Sequence, residues 1–267
     1  MRPLAVIGPL ARDVVDGGPP RIGGGPWHAG RALHALRDEA LVVAKCGEAD
    51  RRPYLRRLAA LGLPVSVAAG GETTSFSIRY GDDGRRELHV DAIGEPWREE
   101  DAPVRPLERV EWLHVAPLLR DDFPPATLER LAHGRRLLLD AQGLVRRRQP
   151  GPVALDGGFD RTLLRHVSML KLAEEEARAI VGDGALADLR ELGVPEVVVT
   201  FGAEGSLVLA RGTCERIRTR PVAADPTGAG DAFAVAYLAG RAAGHAPASA
   251  AHRATALVSS LLTAVVR

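Results

Sequence analysis

Lysine is scarce in this chain of 267 residues: Lys45 and Lys171 are its only two lysines, and arginine takes nearly every other cationic position. A Walker A loop needs its lysine within a Gly-Lys-Ser or Gly-Lys-Thr string. Both lysines instead have small, apolar or cysteine neighbours. The Val-Ala-Ile-Lys and His-Arg-Asp strings of protein kinases are missing as well. The sequence therefore excludes a P-loop nucleoside triphosphatase and a protein kinase.

Cysteine, aromatic residues and long apolar runs are also few. Cys46 and Cys214 stand alone without metal-ligand spacing, which predicts two buried free thiols in a reducing compartment. The longest apolar stretch, residues 254–266, is too short to span a bilayer. The first strand begins at once, without the pattern of a signal peptide. We therefore expect a cytoplasmic protein.

The charge balance and the histidine spacing exclude further classes. Formal net charge is +1, which argues against a nucleic-acid partner or an anionic-membrane partner. The eight histidines form neither His-x-His nor His-Glu-x-x-His, so a structural zinc site or a zinc protease is not expected.

Apolar segments alternate with amphipathic segments along most of the chain, a pattern typical of a parallel sheet covered by helices on both faces. The predicted strands lie at 4–8, 40–46, 110–115, 137–140, 169–172 and 196–201, and the predicted helices at 27–36, 51–61, 125–132, 159–165 and 173–181. Residues 206–209 and 215–218 flank Arg211-Gly212 and read as a hairpin at a sheet edge.

The region 65–92 interrupts this alternation. Residues 65–80 and 86–91 show strand patterns, the turn Gly81-Asp82-Asp83-Gly84 separates them, and no helical pattern lies between them. Two such strands are not stable alone. We expect them to form a small sheet that packs over a cleft.

The most informative segment is Ala-Asp-Pro-Thr-Gly-Ala-Gly-Asp-Ala-Phe at 224–233, which leads into a strong helix pattern. Thr227 or Asp225 is a candidate N-cap of that helix. The small residues that follow leave the first-turn amides and the positive end of the helix dipole open to an anion. Asp231 lies at the same end and is a candidate general base. Phosphate-binding amides beside a base are what phosphoryl transfer to an alcohol requires.

This string closely resembles the second signature of the ribokinase-like (PfkB) carbohydrate kinases, Asp-Thr-x-Gly-Ala-Gly-Asp, with Pro226 at the usual first threonine. The resemblance implies a single domain over 1–267 with a three-layer α/β/α fold, a mainly parallel central sheet and a small β-sheet lid from about 12–16 and 65–92. It also implies ATP-dependent transfer of the γ-phosphoryl group to a hydroxyl of a sugar or sugar-like compound. Asp231 would be the base, and the amides of Gly228, Ala229, Gly230 and Asp231 would stabilise the transferred group.

Other segments resemble the substrate-binding parts of the same family. Gly23-Gly24-Gly25 opens a predicted helix and resembles the family's first signature, with His28 at its usual asparagine. Asp13 resembles the aspartate that grips the substrate, and Ala11 replaces an asparagine there. The resemblance assigns Asp13, Gly23, Gly24 and His28 to the acceptor.

The resemblance places the phosphate donor on the C-terminal half of the chain. The implied nucleotide-binding residues are Lys171, Thr200, Gly202, Gly205 and Thr227. Glu176 matches a glutamate that organises Mg²⁺ through water, although Ala173 replaces the asparagine of that segment. The implied small molecules are ATP, Mg²⁺ and a monovalent cation near Asp225, and the implied assembly is a homodimer formed through the lid.

Three alternatives and one undecided segment stay open at this point. A nucleoside kinase would use the same machinery, although the chain is only 4% aromatic and offers few platforms for a base. A non-catalytic nucleotide or sugar sensor would account for the departures at His28, Ala173 and Pro226. A Rossmann dehydrogenase is disfavoured because the first strand lacks its glycine fingerprint. Residues 140–146 line the cleft in one interpretation and form a solvated loop in the other.

Overall fold

A computed structural model describes residues 4–36, 40–81, 86–101, 104–219 and 226–265. The fourteen strands of these residues are β1 (Leu4–Pro9), β2 (Ala11–Val15), β3 (Arg21–Gly23), β4 (Ala40–Gly47), β5 (Val65–Gly70), β6 (Thr74–Tyr80), β7 (Arg86–Ala92), β8 (Trp112–Val115), β9 (Arg136–Asp140), β10 (Gly151–Pro152), β11 (Met169–Ala173), β12 (Glu196–Thr200), β13 (Ser206–Ala210) and β14 (Thr213–Ile217). The helices are α1 (Gly25–Leu36), α2 (Glu48–Ala59), α3 (Val104–Leu107), α4 (Pro125–Ala132), α5 (Gln142–Val145), α6 (Glu174–Val181), α7 (Ala229–Ala242) and α8 (Pro247–Val265). Short 3₁₀ helices lie at Glu99–Asp101, Arg161–His166, Leu186–Leu192 and Gly202–Glu204.

A nine-stranded sheet in the order β14-β13-β12-β11-β9-β8-β1-β4-β5 forms the centre of the fold. The strands from β12 to β5 run parallel, and the hairpin β13–β14 adds two antiparallel strands at one edge, as the sequence predicted. The strands read as continuous apolar runs because both faces of the sheet are covered. One core lies under α1, α2, α7 and α8, and the other lies under α4, α5, α6 and the 3₁₀ helices. The three-layer α/β/α architecture is confirmed.

A five-stranded small sheet in the order β10-β7-β6-β2-β3 stands beside the large one. Its β2–β6 pair is parallel and its other pairs are antiparallel. Leu118 and Leu119 pack with Phe76, Ile78 and Val90 beneath it. This supplies the apolar contact that two strands alone would lack.

The predicted extent of the small sheet was wrong at its start. Residues Val65–Gly70 pair in parallel with β4 and form the edge of the large sheet. The reason is that α2 separates β4 from β5, so these two strands and their helix make a βαβ unit, whose strands share one sheet. The small sheet uses β6 and β7 from this region, together with β2, β3 and β10 from elsewhere.

Two smaller expectations also need correction. Cys46 is buried and burial raises the pKa of its thiol to about 12, but Cys214 is exposed on β14; both are free thiols. The predicted cap Thr227 is not the N-cap of α7, because Gly228 takes that position, while Asp225 lies outside the described residues. None of the described helices is long and apolar enough to cross a membrane.

Candidate active site

A cleft of about 330 Å³ opens between the small sheet and the carboxyl ends of the parallel strands. This edge is where open α/β sheets bind ligands. The cleft brings together most of the residues that the sequence singled out: Asp13, Gly24, His28, Lys171, Glu176, Thr200, Gly202, Thr227, Gly228, Ala229, Gly230 and Asp231. Gly23 lies behind Asp13, and Gly205 belongs to a neighbouring cavity.

The amino end of α7 forms one wall of the cleft. Gly228 caps the helix with φ of 80°, a left-handed conformation that favours glycine. Amides of the first helical turn have no partner within the helix, so they present donors to the cleft. The Ala229 amide differs, because it donates to the Pro226 carbonyl at 2.9 Å and closes a tight turn. This bond removes the Ala229 amide from the predicted anion-binding set, which leaves the amides of Gly228, Gly230 and Asp231 as candidates.

Asp231 lies in the first turn of α7, at the floor of the cleft. Its Oδ1 atom is buried and accepts no hydrogen bond from the described part of the chain. A Cβ added to Gly25 would come within 3.0 Å of this oxygen, so α1 approaches it closely. Burial first, and then repulsion by Asp140, raise the pKa of Asp231 to about 7. A carboxylate with such a pKa is well matched to general-base catalysis near neutral pH.

A buried ion pair lies beneath this turn. Lys171 Nζ lies 3.2 Å from Asp140 Oδ2, and the Lys171 side chain is only 6% exposed. Burial opposes its charge, but Asp140, Glu176 and Asp231 together hold the pKa of Lys171 above its ordinary value. A Cβ on Gly230 would come within 3.0 Å of Lys171 Nζ. The ammonium group of Lys171 therefore stays charged and lies directly against residues 228–231, which we call the anion-binding turn after its predicted role.

Glu176 is buried at the start of α6. Its Oε2 accepts the Ala173 amide at 2.8 Å, and its Oε1 lies 3.4 Å from Arg146 Nη2. Burial raises the pKa of Glu176, against the lowering effect of Lys171. Both carboxylate oxygens of Glu176 therefore have partners within the protein.

The predicted acceptor side of the cleft is formed by the small sheet and the start of α1. Asp13 lies within β2 of the small sheet, in register with Phe76 of β6. A Cβ on Gly23 would overlap the Asp13 carboxylate, so glycine is needed there for the side chain to keep its place. Phe76, Leu88 and Leu118 supply apolar walls. This part of the cleft thus combines one carboxylate with apolar surface.

The predicted donor side of the cleft continues into a side cavity of about 140 Å³ between Gly202 and α8. Thr200 lines both spaces and donates its hydroxyl to the Leu172 carbonyl at 3.2 Å. Phe233, Val258 and Leu262 make the side cavity largely apolar. Gly205 has φ of 103°, and a Cβ there would overlap the Ile217 carbonyl, so this glycine also serves the β13–β14 hairpin.

The family model described as pfkB family carbohydrate kinase matches residues 21–264. The chain belongs to this family. Inositol 3-kinase of Oryza sativa subsp. japonica is 31% identical over 190 residues, which are 65% of this chain and 45% of that enzyme. The chain therefore matches less than half the length of that relative.

Solved structures agree with this pfkB assignment. A pyrophosphate-dependent kinase of the ribokinase family, complexed with a pyrophosphate analogue and myo-inositol, has a TM-score of 0.84 and 25% identity, covering 97% of this chain and 95% of that one. Ribokinase of Thermotoga maritima has a TM-score of 0.74 and 18% identity, covering 98% of this chain and 93% of that one. The predicted family and ribokinase-like fold are confirmed, and the predicted enzyme class is that of the family.

Sequence reasoning left part of this pfkB-family cleft undecided and missed another part. Asp140 and Arg146 belong to the cleft and its floor rather than to a solvated loop, since Arg146 lines the cavity and Asp140 pairs with Lys171. The position of Asp140 at the end of a buried strand was the available signal. Phe76 and Leu88 were not singled out, because an apolar residue in a strand pattern reads as core.

The raised pKa of Asp231 predicts a pH dependence. We expect kcat/KM to rise with pH and to level off above about pH 7, because only the ionised carboxylate accepts the proton of the acceptor. A pH profile of the wild-type chain beside Asp231→Asn measures this. If kcat/KM of the Asp231→Asn variant fell at low pH with the same midpoint as in the wild type, the titrating group would be the donor or another residue.

Proposed function

We propose that this chain is a kinase that transfers a phosphoryl group from a phosphate donor to a hydroxyl of a sugar-like acceptor. The observation that carries the proposal is the Asp231 carboxylate. It lies at the amino end of α7, between the Asp13 side of the cleft and the anion-binding turn, and its buried Oδ1 has no hydrogen-bond partner among the described residues. A base next to oriented anion donors is the arrangement that phosphoryl transfer to an alcohol uses.

Each group has a separate role in the proposed reaction. Asp13 orients the acceptor through its hydroxyl groups, and Asp231 takes the proton from the hydroxyl that attacks. The amides of Gly228, Gly230 and Asp231 stabilise the negative charge of the transferred group, with Lys171 beneath them. Closure of the small sheet excludes water that would otherwise hydrolyse the donor.

The acceptor we favour is an inositol or a similar cyclic polyol. The 31% identical plant relative is named inositol 3-kinase, and the pyrophosphate-dependent neighbour is described with myo-inositol. A polyol ring presents hydroxyl edges to Asp13 and C–H faces to Phe76 and Leu88, which suits the mixed walls of the site. A nucleoside would need stacking surface for its base, and of the described aromatic side chains of the small sheet only Phe76 lines this cleft.

The donor is ATP or pyrophosphate, and both fit the same anion-binding turn. ATP would place its base in the apolar side cavity, whereas pyrophosphate would leave that cavity unused. No described group of three or more His, Cys, Asp or Glu side chains forms a metal site. Mg²⁺ that arrives with the phosphates and keeps most of its waters fits this donor set, with Glu176 acting through water. Bound in this way, the ion would neutralise charge on the phosphate oxygens.

Further family features stay proposals. They are a homodimer formed through the small sheet, a cytoplasmic location and a monovalent cation near Asp225, which lies outside the described residues.

The deciding experiment measures phosphoryl transfer directly. Purified protein with Mg²⁺ is incubated with ATP or with pyrophosphate and a panel of inositols, sugars and nucleosides, and the phosphorylated product is detected by ³¹P NMR. We expect transfer to a cyclic polyol or sugar. If neither donor gives a product with any acceptor while the protein still binds them, the sensor alternative replaces the kinase.

Asp13 gives a separate test of the acceptor site. We expect Asp13→Ala to lower kcat/KM for the acceptor at least about tenfold, or about 1.4 kcal/mol, since charge-assisted hydrogen bonds are lost in a closed site. Gly23→Ala should act in the same direction, because its Cβ overlaps the Asp13 carboxylate. Measuring KM for each substrate separates the sites. A loss of donor affinity with unchanged acceptor affinity would place Asp13 in the wrong half of the cleft.

A further inference from the structure

Tyr80 joins the small sheet to the anion-binding turn. Its Oη lies 3.3 Å from the Thr227 Oγ1 atom, at hydrogen-bond distance across 147 positions of the chain. The side chain is 37% exposed, which is unusual for a large aromatic residue of this chain. Burial of the ring therefore does not account for its position at the end of β6.

The backbone of Tyr80 is fixed from the neighbouring strand. Its amide donates to Asp16 Oδ1 at 3.1 Å, and the Asp16 amide donates to the Ile78 carbonyl at 2.9 Å. Asp16 adopts φ of 48°, a left-handed conformation that aspartate tolerates. These bonds hold the end of β6 to the end of β2. Tyr80 therefore moves with the small sheet.

The two ends of the contact belong to different halves of the cleft. Phe76 precedes Tyr80 by four residues on the same face of β6 and forms part of the acceptor wall. Thr227 precedes the cap Gly228, in the turn that the Ala229 amide closes on Pro226. The Tyr80–Thr227 bond thus connects the sheet that covers the acceptor with the turn that carries the phosphate-binding amides.

We propose that Tyr80 is a positioning residue: its hydroxyl, bonded to Thr227, couples the seating of the small sheet over the acceptor to the geometry of the donor-binding turn. The proposal rests on the proposed function for the identity of the two ligands. It requires that acceptor and donor strengthen each other's binding, and by linkage the two effects are equal. The Tyr80 hydroxyl bonds to Thr227 rather than to the proposed base Asp231, so its loss should act on coupling rather than on proton transfer.

The test measures binding of a non-transferable donor by calorimetry, with and without saturating myo-inositol. The probes are the β,γ-imido analogue of ATP and methylenediphosphonate. We expect wild-type protein to bind the better probe several-fold more tightly when the acceptor is present. In Tyr80→Phe most of this several-fold gain should be lost, because the loss of one hydrogen bond is enough to account for a several-fold change in affinity. Arg79→Gln, an exposed change on the opposite face of β6, is the matched control and should keep the full gain.

A double-mutant cycle shows whether the Thr227 bond carries the coupling. Thr227→Val removes the hydroxyl, so Tyr80→Phe should add nothing further in its background, whereas Thr227→Ser keeps the hydroxyl and should keep the coupling. The proposal would be overturned if the effects of Thr227→Val and Tyr80→Phe on the gain in donor affinity were independent and multiplied in the double variant. It would also be overturned if Tyr80→Phe alone kept the wild-type gain, or if the two sites of the wild-type protein bound independently. Binding synergy without product formation would instead overturn only the proposed kinase function.

Discussion

Asp231→Asn is expected to lower kcat by about 10²- to 10⁴-fold, the usual contribution of a general base. Asparagine keeps the size and the polarity of the side chain but cannot accept the proton of an attacking hydroxyl. Because the amides of the α7 turn and Lys171 remain, donor binding should stay close to that of the wild-type protein. Steady-state kinetics and donor calorimetry on one preparation separate the two effects.

Stability measurements show whether the lower kcat of Asp231→Asn comes from loss of the base or from unfolding. Between about pH 4 and 7 the folded protein holds a proton on Asp231 that the unfolded chain has already lost. The contribution of this group to the free energy of unfolding therefore falls as pH rises through that interval. Asparagine does not ionise, so the Asn variant lacks the destabilisation that the buried Asp231 carboxylate causes at high pH. Its thermal midpoint at pH 8 should equal or exceed that of the wild type.

Asp183→Asn is the matched control for Asp231→Asn, since the same chemical change falls on an exposed residue after α6. It should leave both kcat and the thermal midpoint unchanged. A near wild-type kcat in Asp231→Asn would mean that the carboxylate only complements the dipole of α7, and the proposed mechanism would lose its base.

Local sequence patterns predicted where the strands lie along the chain more accurately than they predicted which strands pair with each other. Strands β1, β4, β9 and β11 were foreseen because continuous apolar runs bounded by turns are local signals. The assignment of β5 failed because the choice of sheet depends on the βαβ connection through α2. Register and strand order are set by packing between distant segments, which no local window contains.

The same limit applies to the site. The glycine-rich string and Asp231 were predicted because they are contiguous and are needed close to the helix end. The bond of the Ala229 amide to Pro226 was not foreseen, since it depends on how the turn closes. The Asp140–Lys171 pair joins two strands that are neighbours only in the folded sheet. Each of these misses concerns a contact rather than a residue type.

Gly228→Ala is the second large effect we expect, with a loss of at least about 10²-fold in kcat, the scale of losing one preorganised anion donor. Gly228 has φ of 80°, and an added Cβ would overlap the ring of His28. The helix cap must then shift, and with it the amides of Gly228 and Gly230. A steady-state assay of the purified variant measures the loss.

Gly244→Ala separates this steric effect from backbone strain. Gly244 follows α7 with φ of 89°, and an added Cβ there meets nothing within 4 Å. Both variants therefore carry the left-handed penalty of roughly 1–2 kcal/mol, and both should lower the thermal midpoint, but only Gly228→Ala should lose activity. The double variant His28→Ala/Gly228→Ala removes the overlap. Its fold-loss in kcat should therefore be smaller than the product of the fold-losses of the two single variants. Equal activities of Gly228→Ala and Gly244→Ala would show that the α7 turn does not hold the transferred phosphoryl group, because displacing its amides would then leave the reaction unaffected.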